Sequence, residues 1–175
     1  MDRRFNKSPG QSLTYRPSFK AGPDRVRDIC LALDPEHNPR YLRNQQGRGE
    51  TYCNIFASDV CDLFGVPPSH TQPGYELNAN GMVRWLTDSG PEFGWVAGDA
   101  KTAQDAAARG HLVLLGYDSK SSKPGHIAVL LPEGTLAQAG AKNGMGLTVA
   151  SIFGRLPTQY FIQMSGGSHG PEVEA

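Results

Sequence analysis

The sequence predicts an α+β protein in which N-terminal helices pack on one side of a small antiparallel sheet of about four to six strands. The first half of the chain carries apolar residues at helical spacing. The second half carries short strand-like runs that are separated by turns containing Gly or Pro. Helices followed by strands are typical of the α+β class, and the 175 residues suffice for one domain with its own core.

The predicted elements have recognisable ends. Thr51 is a good N-cap residue, and Gly65 is the residue type that commonly follows a helix. The predicted helices cover 24–33, a segment from near Thr51 to Gly65, about 80–86, and 102–109. The predicted strands cover 112–117, 126–131, 147–153 and 159–163.

The domain is expected to lie between two less ordered ends. Residues 1–22 contain several Pro and Gly residues without apolar periodicity, which predicts a flexible N-terminal arm. Residues 23–164 form the predicted domain. Residues 165–175 are polar and rich in Gly, which predicts a loose C-terminal tail.

Composition and charge argue against several classes of partner. Seventeen basic and seventeen acidic side chains give a formal net charge of zero, with no long basic run, so nucleic acid is not an expected partner. No apolar stretch approaches the ~20 residues of a membrane span, so no membrane association is expected. The N-terminus lacks the apolar core of a signal peptide. The chain is therefore expected to be made in the cytosol and to reach a periplasm or cell wall only by export or lysis.

The three cysteines, Cys30, Cys53 and Cys61, do not form a disulfide framework. Neither Cys-x-x-Cys nor His-x-x-x-His spacing occurs, so no structural metal is expected. Cys30 and Cys61 fit as small core residues of helices. Cys53 differs because it falls in the first turn of the second predicted helix, on the side of that helix's core residues.

Cys53 and His126 are the predicted nucleophile and base. A thiol attacks a carbonyl as thiolate, and both a helix N-terminus and a neighbouring imidazolium are expected to lower its pKa from about 8.5. His126 begins the strand-like run 126–131, which would hold an imidazole rigidly. A third polar group should orient the ring, and Gln138 is preferred to Asn143 for this role. If Gln138 holds the ring, replacement of Asn143 is expected to be nearly silent.

Further side chains are candidates for contacts with a substrate. The backbone N–H of Cys53 is the expected oxyanion donor, because the first amides of a helix lack intrahelical partners. The Tyr52 hydroxyl is a second candidate donor, with a packing role as the alternative. Asn54, Asn80 and Trp85 are candidate cleft residues, with helix capping as the alternative for the segment around Asn80. Asp59 is expected to be a buried hydrogen-bonding residue rather than a catalytic one.

Two motifs resemble the papain-like amidase superfamily in its NlpC and CHAP branches. They are Tyr52-Cys53-Asn54-x-Phe56 at the start of a helix and Gly125-His126-Ile127-Ala128-Val129 at the start of a strand. The resemblance covers roughly residues 45–140 and implies a minimal papain-like fold, with one helix carrying the Cys and a small sheet carrying the His. The family's third residue lies about a dozen positions after the His, which falls on Gln138, where His, Asn, Asp or Glu is more usual.

The resemblance implies a cysteine amidase or endopeptidase that cleaves amide bonds in the stem peptides of peptidoglycan without a cofactor. Some such proteins are lytic phage enzymes or exported antibacterial effectors, so an immunity or inhibitor protein is a candidate partner of an otherwise monomeric chain. Two alternatives stay open. One is a deamidase or protease toxin that uses the same dyad on proteins, and the other is a non-catalytic module that binds wall fragments or a partner. The Cys at position 53 argues against the second.

Overall fold

The computed structural model describes residues 8–44, 49–68 and 77–165, and the predictions for residues 1–7 of the arm and 166–175 of the tail lie outside them. These described residues form an α+β fold with five α-helices and six strands, as predicted. The helices are α1 (Arg25–Leu33), α2 (Cys53–Phe64), α3 (Ala79–Asp88), α4 (Ala100–Ala108) and α5 (Val149–Phe153). The strands are β1 (Trp95–Gly98), β2 (Val113–Tyr117), β3 (His126–Leu130), β4 (Leu136–Gln138), β5 (Gly144–Leu147) and β6 (Gln159–Gln163).

The strands form one sheet in the order β1-β6-β2-β3-β4-β5, and all neighbours are antiparallel. Successive side chains of a strand point to opposite faces of a sheet. On β3, Ile127 and Val129 belong to the core shared with α1, α2 and α3, whereas Ala128 and Leu130 belong to the core shared with α4 and α5. The sheet is therefore covered on both faces.

The prediction of helices on one side of the sheet is right for α1, α2 and α3 and wrong for α4. Helix α4 buries Ala103, Ala106 and Ala107 against the second face, where small side chains allow the helix to approach the strands closely. No helix among the described residues is long and apolar enough to cross a membrane.

Three helices begin at a side chain that caps their first turn. Asn78 accepts a hydrogen bond from Gly81 N–H at 2.8 Å in α3, and Asp99 accepts one from Thr102 N–H at 2.7 Å in α4. In α5, the Thr148 side chain accepts a hydrogen bond from Ser151 N–H. This cap explains why the predicted strand 147–153 is wrong, because β5 ends where the chain turns into a helix.

The described part of the arm, residues 8–22, contains no helix or strand and lies against the domain. The side chain of Leu13 is buried in the core of α1, α2 and α3. Arg40 is fully buried and donates hydrogen bonds to the backbone carbonyls of Ser8, at 2.7 Å, and Gln11. The arm is thus anchored both by the Leu13 side chain and by two of its main-chain carbonyls.

Arg40 also belongs to a buried polar cluster with Asp59 and Tyr41. Its Nε lies 2.6 Å from Asp59 Oδ2, its Nη2 lies 3.0 Å from Asp59 Oδ1, and the Tyr41 hydroxyl donates to Oδ2 at 2.5 Å. Burial opposes the charge of Arg40, but hydrogen bonding to Asp59 and its charge outweigh burial, so the pKa of Arg40 is raised. Asp59 is a buried hydrogen-bonding residue, as expected.

Candidate active site

Cys53 is the first residue of α2. The predicted N-cap, Thr51, is wrong: Tyr52 takes the N-cap position with non-helical backbone angles, and its side chain makes no capping hydrogen bond. The first intrahelical hydrogen bond runs from Phe56 N–H to the Tyr52 carbonyl at 3.0 Å. The N–H groups of Cys53, Asn54 and Ile55 therefore have no intrahelical partner.

The Cys53 thiol lies at the junction of α2 and β3. It is only 5% exposed, and burial raises its pKa. Hydrogen bonding from the backbone N–H groups of Ile127, Asn54 and Cys53 itself opposes this effect without cancelling it. The amides at the helix start do lower the pKa of Cys53, as expected, but the net shift is upward because desolvation of a thiolate outweighs them.

Cys30 and Cys61 have surroundings of a different kind. Both are fully buried in the core of α1, α2 and α3, and burial raises the pKa of both thiols. Three backbone N–H groups oppose the rise in pKa for Cys53, one opposes it for Cys61, and none opposes it for Cys30. Cys53 is therefore the thiol best placed to react.

His126 opens β3 and is paired with Gln138 on the neighbouring strand β4. Its Nε2 is hydrogen-bonded to Gln138 Oε1. The amide nitrogen of Gln138 is committed elsewhere, because it donates to the Lys142 carbonyl at 2.7 Å. The amide oxygen must therefore face His126, so Nε2 carries a proton and Nδ1 is the basic nitrogen of the neutral ring.

His126 on β3 is linked to the surroundings of the Cys53 thiol through the next residue of the strand. Ile127, whose backbone N–H helps to oppose the rise in the pKa of Cys53, directly follows His126 on β3. Within the described residues, Gln138 is the one hydrogen-bond partner of the ring, which also contacts the Phe153 ring at a centroid distance of 5.3 Å. A hydrogen bond between a general base and its nucleophile often shortens only when substrate binds.

Burial lowers the pKa of His126, and the hydrogen bond to Gln138 opposes that shift only in part. Since burial also raises the pKa of Cys53, both groups are shifted toward their neutral forms. The site thus holds a neutral thiol on α2 and a neutral imidazole on β3 rather than a preformed thiolate and imidazolium. Such a pair reacts when the base accepts the thiol proton during attack.

A cleft of about 610 Å³ opens beside Cys53. Its floor and walls come from the start of α2, the start of α3 and the loop between β2 and β3. The described lining residues are Thr51, Cys53, Asn54, Leu77, Asn78, Ala79, Asn80, Gly81, Arg84, Ser121, Ser122, Lys123, Pro124 and Gly125. Six of them carry amide or hydroxyl side chains and two are basic, so the cleft suits a polar ligand.

The predicted substrate residues fall into two groups. Asn54 lines the cleft and donates to the Leu77 carbonyl at 2.9 Å, and the side chain of Asn80 also faces this region. Trp85 is not among the described lining residues and instead stacks on Phe93 at a centroid distance of 5.5 Å. Tyr52 packs against the core and does not line the cleft either.

Asn80 is buried and holds the loop that precedes β3. Its amide nitrogen donates to Ser119 Oγ at 3.0 Å and to the Lys123 carbonyl at 2.9 Å, while its oxygen accepts from Ser119 N–H at 3.0 Å. A Cβ at Gly125 would collide with Asn80 Oδ1 and the Tyr117 carbonyl. Asn80 therefore shapes the cleft wall, since its hydrogen-bonding groups are already engaged.

Asn143 does not reach the His126 ring. Its side-chain oxygen accepts from Gly140 N–H, and its nitrogen donates to the carbonyls of Pro35 and Tyr41. The side chain that contacts the imidazole is that of Gln138.

Sequence reasoning missed two parts of the site. One is the Ile127 N–H, which approaches the thiol from the strand rather than from the helix. The other is the cleft wall formed by Ser121, Ser122 and Lys123. A short polar loop directly before His126 is the signal that could have revealed this wall.

Compared with models of known protein families and with curated protein sequences, the chain gives no match. Among the residues that the structure describes, no three His, Cys, Asp or Glu side chains are grouped as metal ligands. The candidate function therefore depends on Cys53 at the cleft and on the His126–Gln138 pair on β3 and β4.

We expect iodoacetamide to label Cys53 before Cys30 and Cys61, because only Cys53 is partly exposed and faces three backbone N–H groups. Its raised pKa leaves little thiolate at pH 7, so the rate should still be rising above pH ~8.5, where a free thiol is half ionised. Peptide mapping after limited labelling at several pH values measures both effects. Equal labelling of the three thiols, or a rate already constant between about pH 6 and 8, would contradict this expectation.

Proposed function

We propose that this protein is a cysteine amidase or endopeptidase of the papain-like type that cleaves amide bonds in peptidoglycan stem peptides. One observation carries the proposal: Cys53 starts a helix at a cleft, and His126 at the start of β3 is held by Gln138 with Nδ1 as its basic nitrogen. The chain would act in the periplasm or cell wall after export or lysis, with an immunity protein as a candidate partner.

The first step forms an acyl-enzyme. As the Cys53 sulfur attacks the amide carbonyl carbon, His126 Nδ1 takes the thiol proton. The carbonyl oxygen becomes negative and accepts hydrogen bonds from the backbone N–H groups at the start of α2. When the C–N bond breaks, the proton on His126 passes to the leaving amine, so the ring returns to its neutral form.

The second step releases the product. Water attacks the thioester while His126 takes one of its protons, and the tetrahedral intermediate collapses by breaking the C–S bond. The proton then returns to the Cys53 sulfur. Both steps use the same neutral tautomer of His126, which supports an essential orienting role for its partner on β4.

The cleft favours a short polar peptide. Its volume of about 610 Å³ falls within the usual range for small ligands. Asn54, Ser121 and Ser122 can hydrogen-bond the amides and carboxylates of a peptide stem. A long apolar side chain would find few partners among the described lining residues.

Digestion of purified sacculi tests the proposal. Fragments identified by mass spectrometry should carry a new amine and a new carboxylate at one stem-peptide bond, and the Cys53→Ala protein should release none. Conversion of Gln to Glu in added proteins, without wall fragments, would favour the deamidase alternative. Binding to sacculi without any cleavage would favour the binding module.

We expect Gln138→Ala to lower the rate by about 10- to 100-fold, less than loss of His126. Gln138 carries no charge, so it orients the ring and biases the tautomer but cannot stabilise an imidazolium as a carboxylate would. Initial rates of fragment release measure the effect.

Gln104→Ala is the matched control for this change. Gln104 is a half-buried amide on α4 that donates to the Pro132 carbonyl at 3.0 Å and lies outside the site. Equal rate losses in the two variants would remove the special role of Gln138.

A further inference from the structure

The turn between β4 and β5, residues 139–143, is held by the side chain of Asn143. Its Oδ1 accepts a hydrogen bond from Gly140 N–H at 2.8 Å, which closes the turn. Its Nδ2 donates to the carbonyls of Pro35, at 3.0 Å, and Tyr41, at 2.7 Å, in the segment between α1 and α2. Asn143 thus ties the turn to a distant segment of the chain.

The same turn packs against the His126–Gln138 pair. The Lys142 carbonyl accepts the amide N–H of Gln138 at 2.7 Å. A Cβ at Gly140 would lie 3.0 Å from His126 Cε1 and 3.4 Å from Gln138 Nε2, so the turn's backbone contacts both side chains. The position of this turn therefore determines where the Gln138 amide can bond.

The orientation of the Gln138 amide has a chemical consequence for the ring. With the Lys142 carbonyl in place, the amide nitrogen faces the turn and the oxygen faces His126. If that carbonyl moved away, the amide could rotate and present its N–H to the ring. His126 Nε2 would then have to accept, which leaves the proton on Nδ1, so Nδ1 is no longer the basic nitrogen of the ring.

We infer that Asn143 is a positioning residue: by fixing the Lys142 carbonyl it keeps the Gln138 amide in one orientation and His126 in its Nε2–H tautomer. The effect on hydrolysis rests on the proposed function, whereas the effect on the tautomer does not. This inference replaces the expectation that loss of Asn143 is silent.

Nitrogen chemical shifts of ¹⁵N-labelled histidine measure the tautomer directly. The spectra are recorded near pH 8, where His126, with its lowered pKa, is neutral. The unaltered protein should show one Nε2–H tautomer, and Asn143→Ala should show a mixture of both tautomers for His126.

Asn38→Ala is the matched control. Asn38 is a similarly half-buried amide that donates to the Leu33 carbonyl at 3.0 Å and accepts from Arg40 N–H at 3.1 Å. It stabilises the same segment between α1 and α2 but makes none of these hydrogen bonds to the turn. Asn38→Ala should therefore keep the single tautomer. A single Nε2–H tautomer in Asn143→Ala overturns the inference, whatever the protein hydrolyses.

Kinetics give the second readout. In Asn143→Ala, kcat should fall about tenfold with KM unchanged, as for outer partners that orient a functional group. A raised KM with unchanged kcat would mean that the turn acts on substrate binding, which also overturns the inference. If the unaltered protein shows the single tautomer but cleaves no substrate, the proposed function fails and the positioning role of Asn143 is still decided by the spectra.

If Asn143→Ala does not fold, Gly140→Ala tests the same inference. The new Cβ presses on His126 Cε1 while all hydrogen bonds of Asn143 can remain. The His126 signals should shift and kcat should fall. Unchanged signals would show that the turn does not control the ring.

Discussion

Replacement of Cys53 by alanine should abolish amide hydrolysis while the protein stays folded. Loss of a nucleophile that acts together with a base costs at least about 10⁴-fold in kcat. The side chain is small and lies at the edge of the core, so the free energy of unfolding should fall by only about 1 kcal/mol. Fragment release from sacculi measures the first effect, and thermal unfolding followed by circular dichroism measures the second.

Two further variants are to be compared with Cys53→Ala. Cys30→Ala removes a more deeply buried thiol and should keep the rate, because Cys30 lies away from the cleft. His126→Ala should lose about as much activity as Cys53→Ala, because nucleophile and base act as a unit. Substantial hydrolysis by folded Cys53→Ala would show that another group is the nucleophile.

Asp59→Asn is expected to destabilise the protein by about 3–5 kcal/mol, because it leaves the fully buried guanidinium of Arg40 without a counter-charge. The substitution keeps the volume of the side chain, so packing contributes little. The Tyr41 hydroxyl, whose pKa burial and the neighbouring Asp59 raise, remains available as a donor. Urea unfolding followed by circular dichroism gives the change in free energy.

Lys101→Ala is the control for this prediction. Lys101 pairs with Asp105 at 2.8 Å on the surface of α4, where solvent screens both charges. The urea midpoint of this variant should not change. An Asp59→Asn protein with an unaltered midpoint would mean that the Arg40–Asp59 pair does not contribute net stability.

The fold class and the long helices could be predicted because apolar spacing is a local property of the sequence. The bounds of α1 and the end of α2 at Gly65 agree with that spacing. Short elements carry too little pattern: β1 and β5 have four residues each, and β4 has three. The face on which α4 packs depends on the order of strands in the sheet, which no local pattern gives.

The pairing of His126 with Gln138 was accessible from the sequence because a short turn joins two antiparallel strands here, which brings Gln138 on β4 within side-chain reach of His126 on β3. Whether that pairing serves catalysis stays a prediction. The pKa shift of Cys53 was not accessible, because the groups that bury its thiol come from β3, far along the chain. The prediction of Trp85 as a cleft residue lacked the same kind of information, because its stacking partner Phe93 lies beyond the end of α3.

Arg40 holds the N-terminal arm through the carbonyl oxygens of Ser8 and Gln11 and not through their side chains. Every residue type supplies a carbonyl, so mutations could accumulate at positions 8 and 11 during evolution without loosening the attachment. The same tolerance does not extend to Arg40, whose replacement would remove both of these hydrogen bonds from an arm that had itself acquired no mutation. Positions 8 and 11 can therefore change in sequence while Arg40 is retained.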